Sequence, residues 1–343
     1  MKIAIIGAGW FGCLIADELI KNNKKVLIYE KEKDIFQNAS GNNQNRLHLG
    51  FHYPRSEKTI LQSKDGFEEF KKKLGNFCRV IPKNYYFISQ DNRTKLDFEE
   101  YKSVLRNVNL DFEELKSNEY NFLNKIAGGI NCQEELILFK KAKKYFKNKL
   151  KDNILYNSEI KEITKVKNKF KIYEKLFDVV INCSWMQYSN NQNKNYTYEY
   201  CLMLKYETEK VNHPAITIMD GPFFTLYPWD EKKAFGLYSV EKSRIDSDKN
   251  FNKLKTRVKK ITKYKLLEQR KLIESEFSEY YPKFKQEFAF KDYLKSFRTI
   301  IKNKNDSRVS YVKNNKNFIN VFSGKIDHVF YALKEVEKCL KKF

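Results

Sequence analysis

Apolar residues run unbroken from Ile3 to Ile6 and give way to a glycine-rich stretch. They recur at Phe11, Leu14, Ile15, Leu19 and Ile20. The first run predicts a short buried strand over Lys2–Ile6, and the spacing of the second predicts a helix over Trp10–Lys21. Lys25–Glu30, KVLIYE, reads as a second strand. A β-α-β opening of this kind predicts a parallel sheet.

Further along, Gln37–Pro54 is polar and rich in Asn and Gly, and reads as a loop entering a site. Helices are predicted over Glu57–Leu74 and Glu134–Leu150, and a strand over Arg79–Ser89. Strands near Glu159–Thr164 and Phe170–Tyr173 lead to FDVVIN, Phe177–Asn182, a buried strand ending in a polar turn. Between Tyr198 and Glu241 the chain is rich in β-branched and aromatic residues broken by turns, which predicts long antiparallel strands. Phe251–Phe277 reads as helical. The chain closes with a strand at Phe318–Phe322, a turn at Gly324 and a helix over Val329–Lys341. The 343 residues suit two domains that interleave along the sequence.

Composition narrows the classes. With 41% hydrophobic residues, including 27 Phe and 22 Tyr, the chain has material for a substantial core. The net charge of +23 raises the question of nucleic acid. Its lysines are scattered, however. Lys140, Lys141, Lys143 and Lys144 alternate with Phe139, Tyr145 and Phe146 as the wet face of a helix. No helix-turn-helix, zinc-finger or RNP motif accompanies them, so no nucleic-acid partner is expected; the charge serves at most to attract anions. None of the six cysteines forms a CxxC pair, so no metal site and no disulfide framework is expected. Reduced thiols fit a cytoplasmic setting, and no signal peptide is expected, because the first apolar run is already a strand. No run of about 18 apolar residues predicts a membrane span, which leaves peripheral membrane contact and oligomeric state open.

The glycine-rich stretch is Gly7-Ala8-Gly9-Trp10-Phe11-Gly12, G-x-G-x-x-G. It follows a strand, opens a helix and is trailed by Glu30 at the end of the second strand, the context of a dinucleotide site. Gly7 permits the tight turn, Gly9 lets backbone approach a pyrophosphate, and Gly12 lets helix and strand pack closely. The helix N-terminus favours phosphate, and Glu30 suits ribose hydroxyls. The motif alone does not separate NAD from FAD. Its place at the start of a long chain, with a second nucleotide-type strand at Phe177–Asn182, favours FAD.

With three further segments, the chain resembles the D-amino-acid-oxidase-like FAD superfamily. One is the loop Asn43–Pro54, which is similar to the flavin-side loop of L-2-hydroxyglutarate dehydrogenases and oxidases. Asn43, His48, Gly50, Tyr53 and Pro54 match that pattern, whereas Asn45, Arg46 and His52 depart from it. The second is Asp178–Trp185, similar to the family's second cofactor segment, with Ser184 where Gly is usual. The third is Ser323–His328, similar to the C-terminal segment that brings a glycine turn and a helix N-terminus to the flavin.

The resemblance implies FAD as cofactor and an α/β fold. A Rossmann-like FAD-binding domain (1–90, 134–190 and 290–343) would interleave with an α+β substrate domain holding an antiparallel sheet (91–133 and 191–289). Cofactor contacts are expected from Gly7, Gly9, Gly12, Glu30, Asn43, Arg46, Ser184, Gly324, Lys325 and Ile326. It implies an oxidoreductase that takes a hydride from a C–H next to an alcohol or amine of a small anionic substrate, of 2-hydroxy-acid or amino-acid type. His48 is the first candidate base, since an imidazole titrates near neutral pH. Arg298, and Arg46 as well, offer a planar fork to a carboxylate or phosphate. His52 and His328 are weaker candidates; His213 reads as structural, and Tyr227 and Trp229 as core or pocket wall. The alternatives are a flavin enzyme without net redox or one acting on a nucleotide sugar or surface-polysaccharide precursor, and an NAD(P)-dependent dehydrogenase.

Overall fold

The computed structural model describes residues 1–188, 196–210, 212–301, 307–322 and 324–341. Its first sheet has six strands in the order Tyr311–Asn315, Phe318–Phe322, Val179–Asn182, Lys2–Ile6, Lys25–Tyr29 and Ile154–Leu155. All neighbours are parallel except the terminal hairpin of Tyr311–Asn315 with Phe318–Phe322. Alternation sorts the central side chains onto two faces. Ile3, Ile5, Val179 and Ile181 join the core beneath helices Trp10–Lys21 and Val329–Leu340. Ala4, Ile6 and Val180 meet Phe170, Ile172 and Phe177 of a three-stranded antiparallel meander on the other face. Burying each such Ile or Val is worth about 1.5–3 kcal/mol, which is why continuous apolar runs mark these strands.

The larger sheet has nine strands. Its path runs Arg244–Asp248, Tyr196–Glu207, Ala234–Ser239, Phe224–Pro228, Ala215–Met219, Asn84–Ser89, Ile126–Asn131 and Glu113–Glu114. Off that path, Ala289–Ile301 pairs antiparallel along the whole of Tyr196–Glu207. Most pairings are antiparallel, but Ala215–Met219 runs parallel to Asn84–Ser89. A helix at Lys263–Tyr280 covers this sheet with Ile273 and Phe277. Among the described residues no helix is long and apolar enough to cross a membrane, and no disulfide joins the cysteines.

Several sequence expectations are corrected. Asn84–Ser89 and Ala289–Ile301, assigned by sequence largely to the nucleotide-binding part, pair into the larger sheet. The strand expected over Arg79–Ser89 is two, Cys78–Val80 and Asn84–Ser89, broken at Pro82, which has no N–H to give a ladder. The helix expected from Glu134 starts at Phe139; Glu135–Ile137 is instead a strand between Arg46–Leu47 and Cys78–Val80. All three of its side chains are buried, a pattern no amphipathic helix would give. No strand forms at Glu159–Ile163; the meander begins at Thr164–Val166.

Candidate active site

The turn after the first strand is shaped by its glycines. Gly7 has φ +94°, and a Cβ on Gly12 would lie 1.9 Å from the Gly7 carbonyl oxygen, so neither tolerates a side chain. A Cβ on Gly9 would come within 2.9 Å of Ser40 Oγ, which itself accepts the Trp10 amide N–H at 3.0 Å. Glu30 accepts the Ala8 N–H at 2.7 Å and the Glu32 N–H at 2.9 Å. Burial raises its carboxyl above the ordinary value, and these backbone donors oppose that rise. Around this turn lies a cleft of about 60 Å³, lined by Gly7, Glu30, Lys31 and Ser184 among others. It adjoins a second cavity of about 920 Å³. Gly9, Ala39, Ser40, Cys183 and Trp185 line both, so one track runs from Glu30, past the glycine turn, into the large cavity.

The remaining expected cofactor residues frame that track. Ser184 donates its hydroxyl to Asn182 Oδ1 at 2.5 Å, and Asn182 bonds Asn320 on the adjacent strand. Asn43 holds its own loop, accepting the Asn45 N–H at 2.5 Å. Gly324 presses on the Arg308 carbonyl, where a Cβ would lie at 1.9 Å. Gly324, Lys325 and Ile326 line the large cavity; Ser323 lies outside the described residues. The helix expected just after the turn begins at Val329, behind a 3₁₀ turn over Ile326–His328.

His48 also lines the cavity. Its Nδ1 is 3.3 Å from Oε1 of Glu134, whose side chain is fully buried. Oε1 also accepts the Leu49 N–H at 2.9 Å, and Oε2 accepts the Tyr86 hydroxyl at 2.6 Å. Burial pushes the Glu134 carboxyl up, but His48 and Arg46 outweigh it and hold it well below the usual carboxylate range. For His48, burial and then the charge of Lys325 overcome the attraction of Glu134, and its pKa falls to about 4. This corrects the expectation of an imidazole titrating near neutrality: His48 is held neutral there. His52 lies beside it, ring centroids 5.8 Å apart, and burial, then His48, Arg46 and Lys325, drive its pKa down too.

The two arginines are engaged within the protein. Arg46 donates to Tyr86 Oη at 2.5 Å and to Thr217 Oγ1 at 2.9 Å, with its guanidinium 3.9 Å from the Tyr227 ring centre. It is buried and 3.6 Å from Glu134 Oε2. Arg298 reaches the cavity wall, but its Nε and Nη2 lie 2.8 and 2.7 Å from Glu199 Oε2. His328 is buried away from the cavity between Ser63 and Ser310. His213 stacks on Tyr281 and bonds its hydroxyl at 2.9 Å. Trp229 is core, packed with Met203 and Phe139.

Glu134, Tyr86, Thr217 and Ser40 were not singled out in the sequence. The only signal at Glu134 is a pair of acids opening the apolar run LILF.

Residues 2–282 match the family described as FAD dependent oxidoreductase. The chain belongs to that family. It is 31% identical to the FAD-dependent monooxygenase FPY4 of Fusarium mangiferae over 337 residues, covering 98% of this chain and 90% of that one. The FAD-dependent monooxygenase kojA of Aspergillus flavus is 25% identical over 375 residues, with 98% and 85% covered. Among solved structures, the L-α-glycerophosphate oxidase of Mycoplasma pneumoniae superposes with a TM-score of 0.75 at 16% identity, covering 99% of this chain and 94% of that one. The glycine oxidase of Geobacillus kaustophilus gives 0.71 at 12%, with the same coverage. FAD is therefore the cofactor, and the oxidoreductase inferred from the sequence stands. The track fits that group in kind: a carboxylate at one end for the ribose, a side-chain-free turn for the pyrophosphate, and a wide cavity for the ring system. Glu30, Gly9, Ser40 and the Gly324–Ile326 segment are the residues that would hold it.

Proposed function

We propose that this oxidoreductase removes a hydride from a C–H next to an alcohol or amine of a small anionic substrate, in a cytoplasmic setting. The observation that supports this reading is the neutral imidazole of His48, braced by the buried carboxylate of Glu134 at the wall of the cavity that continues from the dinucleotide turn. When bound, FAD supplies the hydride acceptor. His48, with Nδ1 turned to Glu134, has Nε2 left to take the proton of the substrate hydroxyl or amine. A histidine of pKa about 4 is a neutral imidazole at neutral pH, with one ring nitrogen protonated and the other free to accept a proton. The Glu134 carboxylate then stabilises the imidazolium that forms. Arg46 and Tyr86 fix Glu134 from its other side, so the pair is held before substrate arrives. The test is anaerobic mixing of FAD-loaded enzyme with a panel of 2-hydroxy acids, amino acids and their phosphorylated or nucleotide-linked analogues. Bleaching of the flavin band near roughly 450 nm is expected with a carboxylate substrate; no bleaching by any member removes this reading.

A second reading is hydroxylation, favoured by the monooxygenase names of the two fungal relatives. It requires a nicotinamide reductant and molecular oxygen. Incorporation of label from heavy-isotope O2 into product, with NAD(P)H consumed in step, would replace the first reading with this one.

A further inference from the structure

A buried cation without a partner is costly unless a ligand completes it. Lys325 is such a group: it is 9% exposed, lines the large cavity, and its Nζ has no hydrogen-bond partner among the described residues. Its backbone belongs to the segment expected to meet the cofactor, but its side chain reaches across to the opposite loop. Nζ sits 4.0 Å from the centre of the Tyr53 ring. Tyr53 packs against His52 at 5.0 Å and against His48 at 6.3 Å between ring centres. The ammonium therefore stands on the side of the candidate base. Buried Nδ1 atoms of His48 and His52 also lack a hydrogen-bond partner among the described residues, His48 Nδ1 lying 3.3 Å from Glu134 Oε1.

The arginines expected to receive an anion offer a contrast. Arg46 donates to Tyr86 and Thr217, and Arg298 to Glu199. Each guanidinium hydrogen-bonds within the protein, whereas Lys325 Nζ, although its charge acts on Glu134 and Asp327, makes no hydrogen bond among the described residues. Among the described residues, seven cationic side chains border the cavity, and Lys325 is the one that joins burial to the absence of a hydrogen-bond partner.

We infer that Lys325 is the anion-binding residue of the substrate site, and that it receives a carboxylate carried on the carbon that is oxidised or on the one next to it. Nζ, the Tyr53 ring and the His48 ring follow one another at 4.0 and 6.3 Å, so a substrate whose anion meets Nζ extends toward the imidazole. The inference rests on the hydride-transfer reading for the identity of the ligand as substrate, but its test does not require turnover.

FAD-loaded wild type, Lys325→Met, Lys325→Arg and Arg298→Lys are titrated with acetate, oxalate and inorganic phosphate. Binding is followed by the flavin difference spectrum and by calorimetry, and FAD content is measured for each protein. Wild type should bind oxalate or acetate saturably. Lys325→Met should weaken that binding by about 10- to 100-fold, the range for a charge-assisted hydrogen bond. Lys325→Arg and Arg298→Lys should stay within about threefold. Unchanged affinity in Lys325→Met overturns the assignment, as does a wild type that binds none of the three anions. Preference for phosphate over both carboxylates overturns the ligand class. Loss of FAD from Lys325→Met but not from Lys325→Arg assigns the ammonium to the cofactor instead. Anion binding without flavin reduction by any substrate would leave Lys325 in place and remove only the hydride-transfer reading.

Discussion

Nδ1 of His48 lies 3.3 Å from a carboxylate oxygen of Glu134, a residue brought beside it by the pairing of Leu47 with Glu135. The same carboxylate takes the Tyr86 hydroxyl on its other oxygen. We propose that this contact orients the imidazole and selects its tautomer, through a group that does not itself line the cavity.

His48→Ala removes the proposed base. Flavin reduction by bound substrate should slow by about 10²- to 10⁴-fold with FAD still bound. Anaerobic stopped-flow reduction measures this directly, and an unchanged rate would remove His48 from the reaction.

Glu134 acts through His48, so its loss should change the state of the ring before it changes the rate. The chain has only four histidines, so nitrogen NMR of histidine-labelled protein can follow each one. His48 should be the Nδ1–H tautomer in wild type and move to the Nε2–H tautomer in Glu134→Ala. Glu134→Gln keeps an acceptor and should retain the wild-type tautomer. A purely structural Glu134 would leave the tautomer unaltered in both.

Gly9→Val places a branched side chain where even a Cβ meets Ser40 Oγ at 2.9 Å. It also fills the space beside the helix N-terminus that a pyrophosphate would need. The variant should fold and fail to retain FAD, read from the absorbance of the purified protein. Retention of FAD at wild-type affinity would move the phosphates elsewhere.

How much of this was legible in the sequence follows from range. The glycine turn and Glu30 are assembled by a local β-α-β unit, and residues close in sequence carry its whole logic. The His48 environment is different. Arg46, Tyr86 and Thr217 come from three strands, and Glu134 from the residue just before a fourth; they meet through two sheets. Glu134 was hidden because its neighbourhood reads as the start of a helix. Strand Ala289–Ile301 was hidden because half-buried residues run along most of it, leaving no clean alternation. Arg298 was found, but its partner Glu199 was not: Cα register across Tyr196–Glu207 and Ala289–Ile301 makes them direct neighbours, and register is not written in either strand alone.

The buried histidines make stability depend on pH. His48 and His213 each have a pKa near 4, against 6.5 when unfolded. Between these values the unfolded chain binds the proton and the native one does not. Stability is therefore full above about pH 6.5 and falls as the pH drops toward about 4. At about pH 5 each would cost about 2 kcal/mol relative to neutrality. The depressed carboxyls of Glu134 and Asp327 act in the same direction but only from the ordinary carboxylate range downward. Urea unfolding at about pH 7 and 5 should show the loss, and His48→Gln should remove about a third of it, because buried His52 is depressed as well. An equal loss in wild type and variant would show that His48 is not held neutral by the fold.

Arg298 and Glu199 give the last prediction. The Glu199 side chain is 1% exposed, and Arg298 supplies two of its contacts, with Arg244 Nη1 a third at 3.3 Å. Removing the guanidinium leaves a buried carboxylate with one weaker partner. Arg298→Met should therefore destabilise the protein by about 3 kcal/mol, the low end for a broken buried pair because Arg244 remains. Replacing both residues, Arg298→Met with Glu199→Leu, takes the stranded charge away as well. The double variant should recover most of the loss, since an apolar pair of similar volume satisfies the same space. Denaturant unfolding of the two single variants and the double closes the cycle. If Arg298→Met instead unfolds like wild type while substrate affinity collapses, the guanidinium serves the ligand rather than the sheet, and the anion site moves from Lys325 to Arg298.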